Sequence, residues 1–336
     1  PIPLNKTLLS GGRRWAMPKW EGGGAAQLWQ PEWSYRIHEG LSLLCPTDVT
    51  IVMMTSSLTS YRLTAAQQSW LGPFRTVVSW RVIVISDRTN RRTGEMTTPQ
   101  LRNHSTYEDA QKRHFVGLRL AYRDEALRNS AWVILVDDDT WVNVPFLLRY
   151  LADFDSDRPL IIAHFLQRVW LPWYPNVLSG GAGMILSSAA FLRIGRALDS
   201  GEMPVPHGLT HNDAHLLEWA QRLELPIVHA QLLGDNALPA DARILDKVLR
   251  NLSTDTESSA LTLNISSYAD SRPVDSEHDI ASAKVLGTGR IDPQALSMVT
   301  LHRVPGTAMR YLQYRIEEIL GMTVEAFIRQ SYGLGC

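Results

Sequence analysis

The chain has 336 residues, of which 45% are hydrophobic and 20% are charged, and its formal net charge is −1. This composition is typical of a globular protein, and the near-neutral charge gives no support to nucleic-acid binding, which needs a basic surface. No apolar stretch reaches the length of a membrane span. Residues 1–45 are rich in Gly and Trp without clear periodicity, and we interpret them as a stem or wrapping segment before a domain at 46–336.

From Val49 onwards, β-rich apolar runs alternate with segments that have a helical apolar face. Strands are predicted at 49–55, 81–87, 132–136, 160–165, 183–186, 226–231 and 297–304. Helices are predicted around 63–71, 110–129, 145–151, 189–198, 214–223 and 309–319. This alternation predicts an α/β domain with a Rossmann-like, mostly parallel sheet flanked by helices. Residues 251–290 are polar and short of core residues, which predicts an insertion or mobile loop.

Two features bear on the cellular compartment. The chain has two cysteines, Cys45 and Cys336, and the sequence leaves open whether they are bridged or free. Four N-x-S/T tripeptides in polar surroundings favour a secretory lumen, and they begin at Asn5, Asn103, Asn251 and Asn264.

The segment WVILVDDDTWVN (132–143) places Asp137, Asp138 and Asp139 at the end of an apolar strand. Adjacent carboxylates repel one another, and burying them unpaired is costly. A divalent cation, a Lys or Arg cluster, or exposure at a turn would each relieve the repulsion. Oxygen ligands suit Mg²⁺ or Mn²⁺, which also bridge to phosphate oxygens. Ligands of parallel sheets bind at the carboxyl ends of strands, where Asp87 also lies.

Two other interpretations of the aspartates are weaker. One is a helix N-cap or turn, for which a single Asp suffices. The other is a phosphotransferase with an aspartate nucleophile, whose D-x-D-x-T pattern requires Thr where Trp141 stands, while Thr140 comes one position early.

The segment SGGAGMILS (179–187) contains Gly180, Gly181 and Gly183. Glycines allow positive φ and close backbone approach, as a sugar or diphosphate requires, although a tight turn into a strand explains such a run equally. The upstream segment 168–177 offers aromatic rings for stacking on sugars or for core burial: Trp170, Trp173 and Tyr174.

Histidines and one further aspartate complete the candidates. His302 ends an apolar strand, where a histidine is more often a core residue than a ligand. The run HGLTHNDAHLLEWA (207–220) spaces His207, His211 and His215 by four, but it lacks the H-E-x-x-H arrangement of a zinc site. Asp213 is a natural N-cap for the helix predicted at 214–223.

Together these segments resemble the fringe-like β1,3-glycosyltransferases of the GT-A fold. VILVDDDTWVNVPFLLRYL resembles the family's DDD segment, and SGGAGMILS its Gly-Gly-Ala-Gly segment. Residues 55–71, 82–87 and 298–316 resemble its first-strand loop, second-strand end and C-terminal strand with a histidine. The resemblance covers residues 47–320. The chain departs from the animal members in lacking most of their cysteines and in carrying the 251–290 insertion.

The resemblance implies a metal-dependent, inverting transferase that uses a UDP-sugar, with galactose or N-acetylglucosamine as the sugar and a glycan or glycoprotein as acceptor. It implies that Asp139 and His302 hold Mn²⁺ or Mg²⁺ and that Asp213 is the catalytic base. The donor contacts that it implies are Arg62, Asp87, Asp137, Asp138, Gly180, Gly181, Ala182 and Gly183. Arg62 and Asp87 also fit an ordinary loop ion pair.

The four N-x-S/T tripeptides and the missing start suggest a domain of the Golgi or secretory lumen that is cut from a type II membrane protein. Two alternatives of other classes stay open. One is a catalytically silent module that binds a sugar or nucleotide, and the other is the aspartate-based phosphotransferase, which would phosphorylate Asp137.

Overall fold

The computed structural model describes residues 45–78, 81–102, 106–152, 154–167, 176–205, 211–230, 233–234, 299–304 and 306–333. Most of the predicted stem, the predicted insertion at 251–290, the aromatic segment 168–175 and all four sequon asparagines lie outside these residues.

The described residues form twelve strands and nine helices, after a 3-10 turn at Pro46–Asp48. The strands are β1 (Val49–Met54), β2 (Val82–Ile85), β3 (Glu95–Met96), β4 (Trp132–Asp137), β5 (Trp141–Val142), β6 (Ile161–Ala163), β7 (Phe165–Gln167), β8 (Asn176–Leu178), β9 (Met184–Ser187), β10 (Ile227–His229), β11 (Leu233–Gly234) and β12 (Thr300–Leu301). The helices are α1 (Ser60–Gln67), α2 (Leu71–Val78), α3 (Tyr107–Arg123), α4 (Glu125–Arg128), α5 (Val144–Leu151), α6 (Ser188–Ser200), α7 (Asn212–Arg222), α8 (Gly306–Leu320) and α9 (Val324–Gly333).

The main sheet has seven strands in the order β10-β6-β9-β4-β1-β2-β3. All neighbouring pairs are parallel except those of β9, which runs antiparallel to β4 and β6. The predicted α/β class with a mostly parallel sheet is therefore confirmed. The carboxyl ends of β1, β2 and β4 meet at one edge, and this edge carries the candidate site.

Both faces of the sheet are covered, because β1 and β4 are buried along almost their whole length. Alternate strand residues, such as Val52 and Leu135, pack in one core with side chains of α3, α6 and α7. Their neighbours Ile51 and Ile134 point the opposite way and are equally buried.

Several helix ends follow from local sequence. Thr106 and Ser187 accept backbone N–H groups at the starts of α3 and α6. Asn143 does the same for α5, where Pro145 fits the first turn. Gly201 ends α6 in the left-handed conformation, with φ of 78°.

A second sheet of three short strands, in the order β11-β12-β5, was not predicted. Of the strand expected at 297–304, residues 299–304 are described, and among them β12 pairs antiparallel with β5, so that Leu301 faces Trp141. The helix expected around 63–71 is two helices, α1 and α2, and α9 follows the predicted closing helix.

No helix in the described ranges is both long and apolar enough to cross a bilayer. Cys45 is disulfide-bonded, which favours the bridged alternative, and Cys336 lies outside the described residues.

Candidate active site

The three aspartates follow β4 at the carboxyl edge of the main sheet. The turn is closed by a hydrogen bond from Thr140 N to Asp137 O (3.2 Å), and the chain then enters β5. Because β12 pairs with β5, the next residue, His302, lies against the aspartates. His302 Nε2 is 3.4 Å from Asp139 Oδ1 and 3.9 Å from Asp137 Oδ2.

Asp137, Asp139 and His302 offer ligand atoms that all lie within 4.8 Å of one another. Asp137 Oδ1 and Asp139 Oδ1 are buried and have no hydrogen-bond partner in the described part of the chain. Two buried carboxylate oxygens that accept no well-formed hydrogen bond, one of them 3.4 Å from the His302 imidazole, fit a divalent cation. The structure thus brings the predicted ligands Asp139 and His302 together and adds Asp137, which the sequence analysis assigned to donor contacts.

The electrostatic environment differs between the aspartates. Burial raises the pKa of Asp137 to about 7; the charge of His302 opposes this rise, and the charges of Asp139, Asp138 and Asp213 add to it. Burial would also raise the pKa of Asp139, but His302 and Arg62 outweigh it and lower the pKa to about 2. Such crowding of carboxylates is typical of functional sites.

Asp138 is engaged with the loop that follows β1. Its Oδ2 accepts hydrogen bonds from the hydroxyls of Thr55 (2.7 Å) and Thr59 (2.6 Å). Burial and the charge of Asp139 raise the pKa of Asp138 to about 6. One turn after Thr59, Arg62 reaches back to Asp139, with Nη1 to Oδ2 at 3.0 Å. The β1 loop and the β4 turn are therefore joined through these contacts.

Asp87 is held inside the protein instead. Its Oδ1 accepts Ser57 N and its Oδ2 accepts Ser57 Oγ, both at 2.6 Å. Burial would raise the pKa of Asp87, but these bonds and the charge of Arg113, at 3.8 Å, lower it. Asp87 was interpreted either as a donor contact or as part of a loop ion pair, and these contacts are those of a loop ion pair.

The glycine turn lies between the aspartates and α7. Only Gly183 has positive φ (92°) of the three glycines expected to use that freedom. A side chain at Gly181 would collide with the His302 ring, and one at Gly180 would come within 2.9 Å of Asn212 Oδ1. The turn is fixed by hydrogen bonds from Thr140 Oγ1 to Gly181 O (2.8 Å) and from Thr300 to Ala182 O. Its glycines thus make room for neighbouring side chains.

Asp213 is in the first turn of α7 and is not its N-cap, so that prediction was wrong. The helix begins one residue earlier than expected, at Asn212, and His211 is the capping position. Asp213 Oδ2 accepts a hydrogen bond from Gly180 N (3.3 Å), and Oδ1 accepts Ala214 N (2.7 Å). The charge of Asp213 also raises the pKa of Asp137, which places both at one site.

Several residues near the aspartates were not predicted from the sequence. Thr55 and Thr59 follow a parallel strand at its carboxyl end, a position that is a signal in itself. His114 is fully buried in the middle of α3, 3.7 Å from Asp137 Oδ1, and burial lowers its pKa to about 4. No spacing or motif marked His114.

The histidine run at 207–215 forms no cluster in the described residues. His207 lies outside them, while His215 Nδ1 is 3.7 Å from Glu218. The sequence predicted no zinc site in this run because the run lacks an H-E-x-x-H arrangement. Among the described residues, no group of three possible metal ligands includes these histidines.

Comparison with known proteins gives a family and distant structural likenesses to 44 chains, including the two that follow. A family model described as Fringe-like matches residues 47–231, which is more than half of the chain. This match confirms the resemblance found in the sequence. Among curated proteins, none matches this chain.

The two solved structures are glycosyltransferases by their descriptions. One is a glycosyltransferase involved in the glycosylation of the major capsid of PBCV-1, with 14% identity, coverage of 56% of this chain and 83% of that chain, and a TM-score of 0.38. The other is the galactosyltransferase LgtC in complex with donor and acceptor sugar analogs, with 11% identity, coverage of 84% and 99%, and a TM-score of 0.33.

Proposed function

Because this chain belongs to the Fringe-like family of glycosyltransferases, we propose that it transfers galactose or N-acetylglucosamine from a UDP-sugar to a hydroxyl of a glycan acceptor, in β1,3 linkage and with inversion. One observation carries the proposal. Asp137, Asp139 and His302 converge at the carboxyl edge of a parallel sheet, with two carboxylate oxygens lacking hydrogen-bond donors in the described residues.

The cation side of the site is made by those three residues. They would hold Mn²⁺ or Mg²⁺, and the imidazole of His302 favours Mn²⁺. When bound, the cation neutralises charge on the diphosphate of the departing UDP. Arg62 Nη1, at 3.0 Å from Asp139 Oδ2, would add a second positive charge beside the cation site. Asp138 orders the loop on which Arg62 is carried, through its bonds to Thr55 and Thr59.

The acceptor side is assigned to Asp213. In the reaction, the acceptor oxygen forms a bond to the anomeric carbon while the bond from that carbon to the UDP oxygen breaks. The bonding electrons leave with UDP, and the acceptor's proton passes to the Asp213 carboxylate. Attack from the face opposite UDP inverts the anomeric centre, so an α-linked donor gives a β-linkage. The Gly180 N–H, at 3.3 Å, holds Asp213 Oδ2 beside the glycine turn.

The deciding experiment is a screen of the purified protein against UDP-sugars and glycan acceptors with Mn²⁺, with product linkage read by NMR. We expect transfer from UDP-galactose or UDP-N-acetylglucosamine, loss of transfer with EDTA, and recovery with added Mn²⁺. Binding of UDP-sugars without turnover would instead identify a silent binding module. Full activity in EDTA would refute the metal assignment.

For the compartment, we propose a secretory lumen, reached by a form with an N-terminal membrane anchor. The four N-x-S/T tripeptides support this proposal. Expression in a secretory host should give a product whose mass falls on glycosidase treatment, and an unchanged mass would count against it.

A further inference from the structure

Helix α3 holds the start of α7 through two polar side chains on one face. Gln111 Oε1 accepts the backbone N–H of Asn212 at 3.0 Å. One turn later, His114 Nδ1 lies 2.5 Å from Asn212 Nδ2. Both contacts are buried, since Gln111 is 6%, His114 0% and Asn212 4% exposed. The residue held in this way immediately precedes Asp213.

The other side of the His114 ring faces the end of β4. His114 Nε2 is 3.0 Å from Val136 O and 3.7 Å from Asp137 Oδ1. A carbonyl oxygen only accepts hydrogen bonds, so Nε2 carries the proton and donates. Nδ1 then has a lone pair and accepts from Asn212. A single neutral tautomer of His114 thus connects the aspartate strand with the helix that carries Asp213.

The orientation of the Asn212 amide is fixed independently. Its Oδ1 accepts the backbone N–H of Asp213 at 2.8 Å, which leaves Nδ2 to donate to His114. An aspartate at this position has no hydrogen to donate, and it would place a second carboxylate beside Nδ1. His114 would then have to take up a second proton or change tautomer, which would set a lone pair against Val136 O. The chemistry of the pair therefore requires an amide at 212.

We propose that His114 and Asn212 are a positioning pair that sets Asp213 at its working distance from Asp137 and Asp139. This inference rests on the proposed function, in which Asp213 is the base and Asp137 and Asp139 hold the cation. The contacts run from Asp137 through His114 and Asn212 to Asp213, whose carboxylate is held at the far side by Gly180 N. Neither member of the pair touches substrate in this account.

Two substitutions of His114 separate its two contacts. His114→Asn places an oxygen near the position of Nδ1 and keeps the acceptor for Asn212, but it gives up the bond to Val136 O. His114→Gln places its amide nitrogen near the position of Nε2 and keeps the bond to Val136, but it loses the acceptor for Asn212. Both variants shrink the side chain and are matched in polarity.

If the pair positions Asp213, His114→Gln should lower kcat by about 100-fold, because small misplacement of a reacting group has an effect of that order. His114→Asn should keep about tenfold more of the wild-type kcat than His114→Gln, since it retains the bond that holds Asn212. Asn212→Asp should behave like His114→Gln. In all three, calorimetric binding of UDP in Mn²⁺ should stay at the wild-type affinity.

Leu118→Ala is the control for destabilisation, because Leu118 is fully buried on the same helix. It should lower the melting temperature without lowering kcat below that temperature. Equal kcat for His114→Gln, His114→Asn and wild type would overturn the proposal. So would losses in kcat that merely follow the melting temperature across the four variants.

A measurement without substrate separates this inference from the proposed function. In protein labelled with ¹⁵N-histidine, the His114 ring, assigned by its absence in His114→Gln, should show the neutral Nε2–H form at neutral pH. In Asn212→Asp that signal should shift to the charged or Nδ1–H form. An unshifted signal would overturn the pairing, whereas a wild-type protein that transfers no sugar would refute the proposed function alone.

Discussion

Aspartates lie at the carboxyl ends of both β2 and β4, since Asp87 follows β2 by two residues and Asp137 is the last residue of β4, but their carboxylates have different surroundings. At the end of β2, both oxygens of Asp87 accept hydrogen bonds from Ser57 at 2.6 Å, and Arg113 lies 3.8 Å away. At the end of β4, Asp137 and Asp139 each keep one buried oxygen with no hydrogen-bond partner in the described residues.

Burying an oxygen without a partner costs about 1–3 kcal/mol, and more for a charged group. This cost is present at the end of β4 and absent at the end of β2, although both ends carry an aspartate at the same edge of the sheet. Position at the end of a parallel strand therefore marks both aspartates as candidates, while the state of their hydrogen bonds separates them. The hydrogen bonds at the end of β2 favour a stabilising role, whereas the free oxygen positions at the end of β4 support the proposed cation site.

The largest effect is expected from Asp139→Asn. An amide is a poorer ligand and carries no charge, so Mn²⁺-dependent binding of UDP should be lost. Changes to outer partners of metal ligands already cost about 10–100-fold, so transfer should fall by more than about 100-fold. Calorimetry and a coupled UDP-release assay measure the two effects.

Asp199→Asn is the control for Asp139→Asn, since Asp199 is 37% exposed and pairs with Arg123 on the surface. It should bind UDP and transfer sugar as the wild type does. If Asp139→Asn keeps the Mn²⁺-dependent affinity for UDP, the oxygens at the end of β4 do not bind the cation, and the difference between the ends of β2 and β4 does not reflect function.

The next effect is that of Asp213→Asn, which tests the base while keeping an oxygen for Ala214 N. A positioned base contributes about 10²–10⁴-fold, so transfer should fall at least about a hundredfold. The melting temperature and UDP binding should hold, because neither depends on proton transfer. Turnover within a few fold of wild type would mean that Asp213 serves the helix start only and that another group takes the proton.

Asp87→Asn should act on stability more than on chemistry. Hydrogen bonds to a charged group contribute about 1.5–3 kcal/mol, and the amide can accept only one of the two Ser57 bonds. At about 2–4 °C per kcal/mol for a domain of this class, the melting temperature should fall by about 3–12 °C. UDP affinity that falls while the melting temperature holds would instead make Asp87 a nucleotide contact.

The sequence predicted the α/β class because apolar periodicity and strand-helix alternation are local properties. It predicted part of the Asp137, Asp139 and His302 cluster, since three aspartates after an apolar strand are a local signal too. His302 could be placed only by resemblance, because its approach depends on the antiparallel pairing of β12 with β5, far apart in the chain. Such long-range pairing of two-residue strands leaves no periodic signal.

The bounds of the helices and the contacts of single residues were harder to predict from the sequence, because they also depend on long-range contacts. The start of α7 at Asn212 is set by Gln111 and His114 on α3, and this tertiary contact moved Asp213 from the predicted cap into the first turn. His114 itself is a single polar residue within a helical pattern. Its role comes from the two partners that the fold supplies on either side of its ring.

The smallest effect, and the sharpest test of the contrast, is expected from Asp137→Asn in the metal-free protein. Burial penalises the ionised form of Asp137; the charge of His302 opposes this, and the charges of Asp139, Asp138 and Asp213 penalise the ionised form further. A neutral amide of the same shape removes that repulsion, so the variant should be more stable by about 1 kcal/mol, or about 2–4 °C in melting temperature. Mn²⁺ with UDP should reverse the order, because only the wild type gains the full stabilisation from binding. Asp199→Asn, measured beside it, should shift little in either condition. A lower melting temperature for Asp137→Asn without metal would mean that the end of β4 is stabilised by its carboxylates, as the end of β2 is.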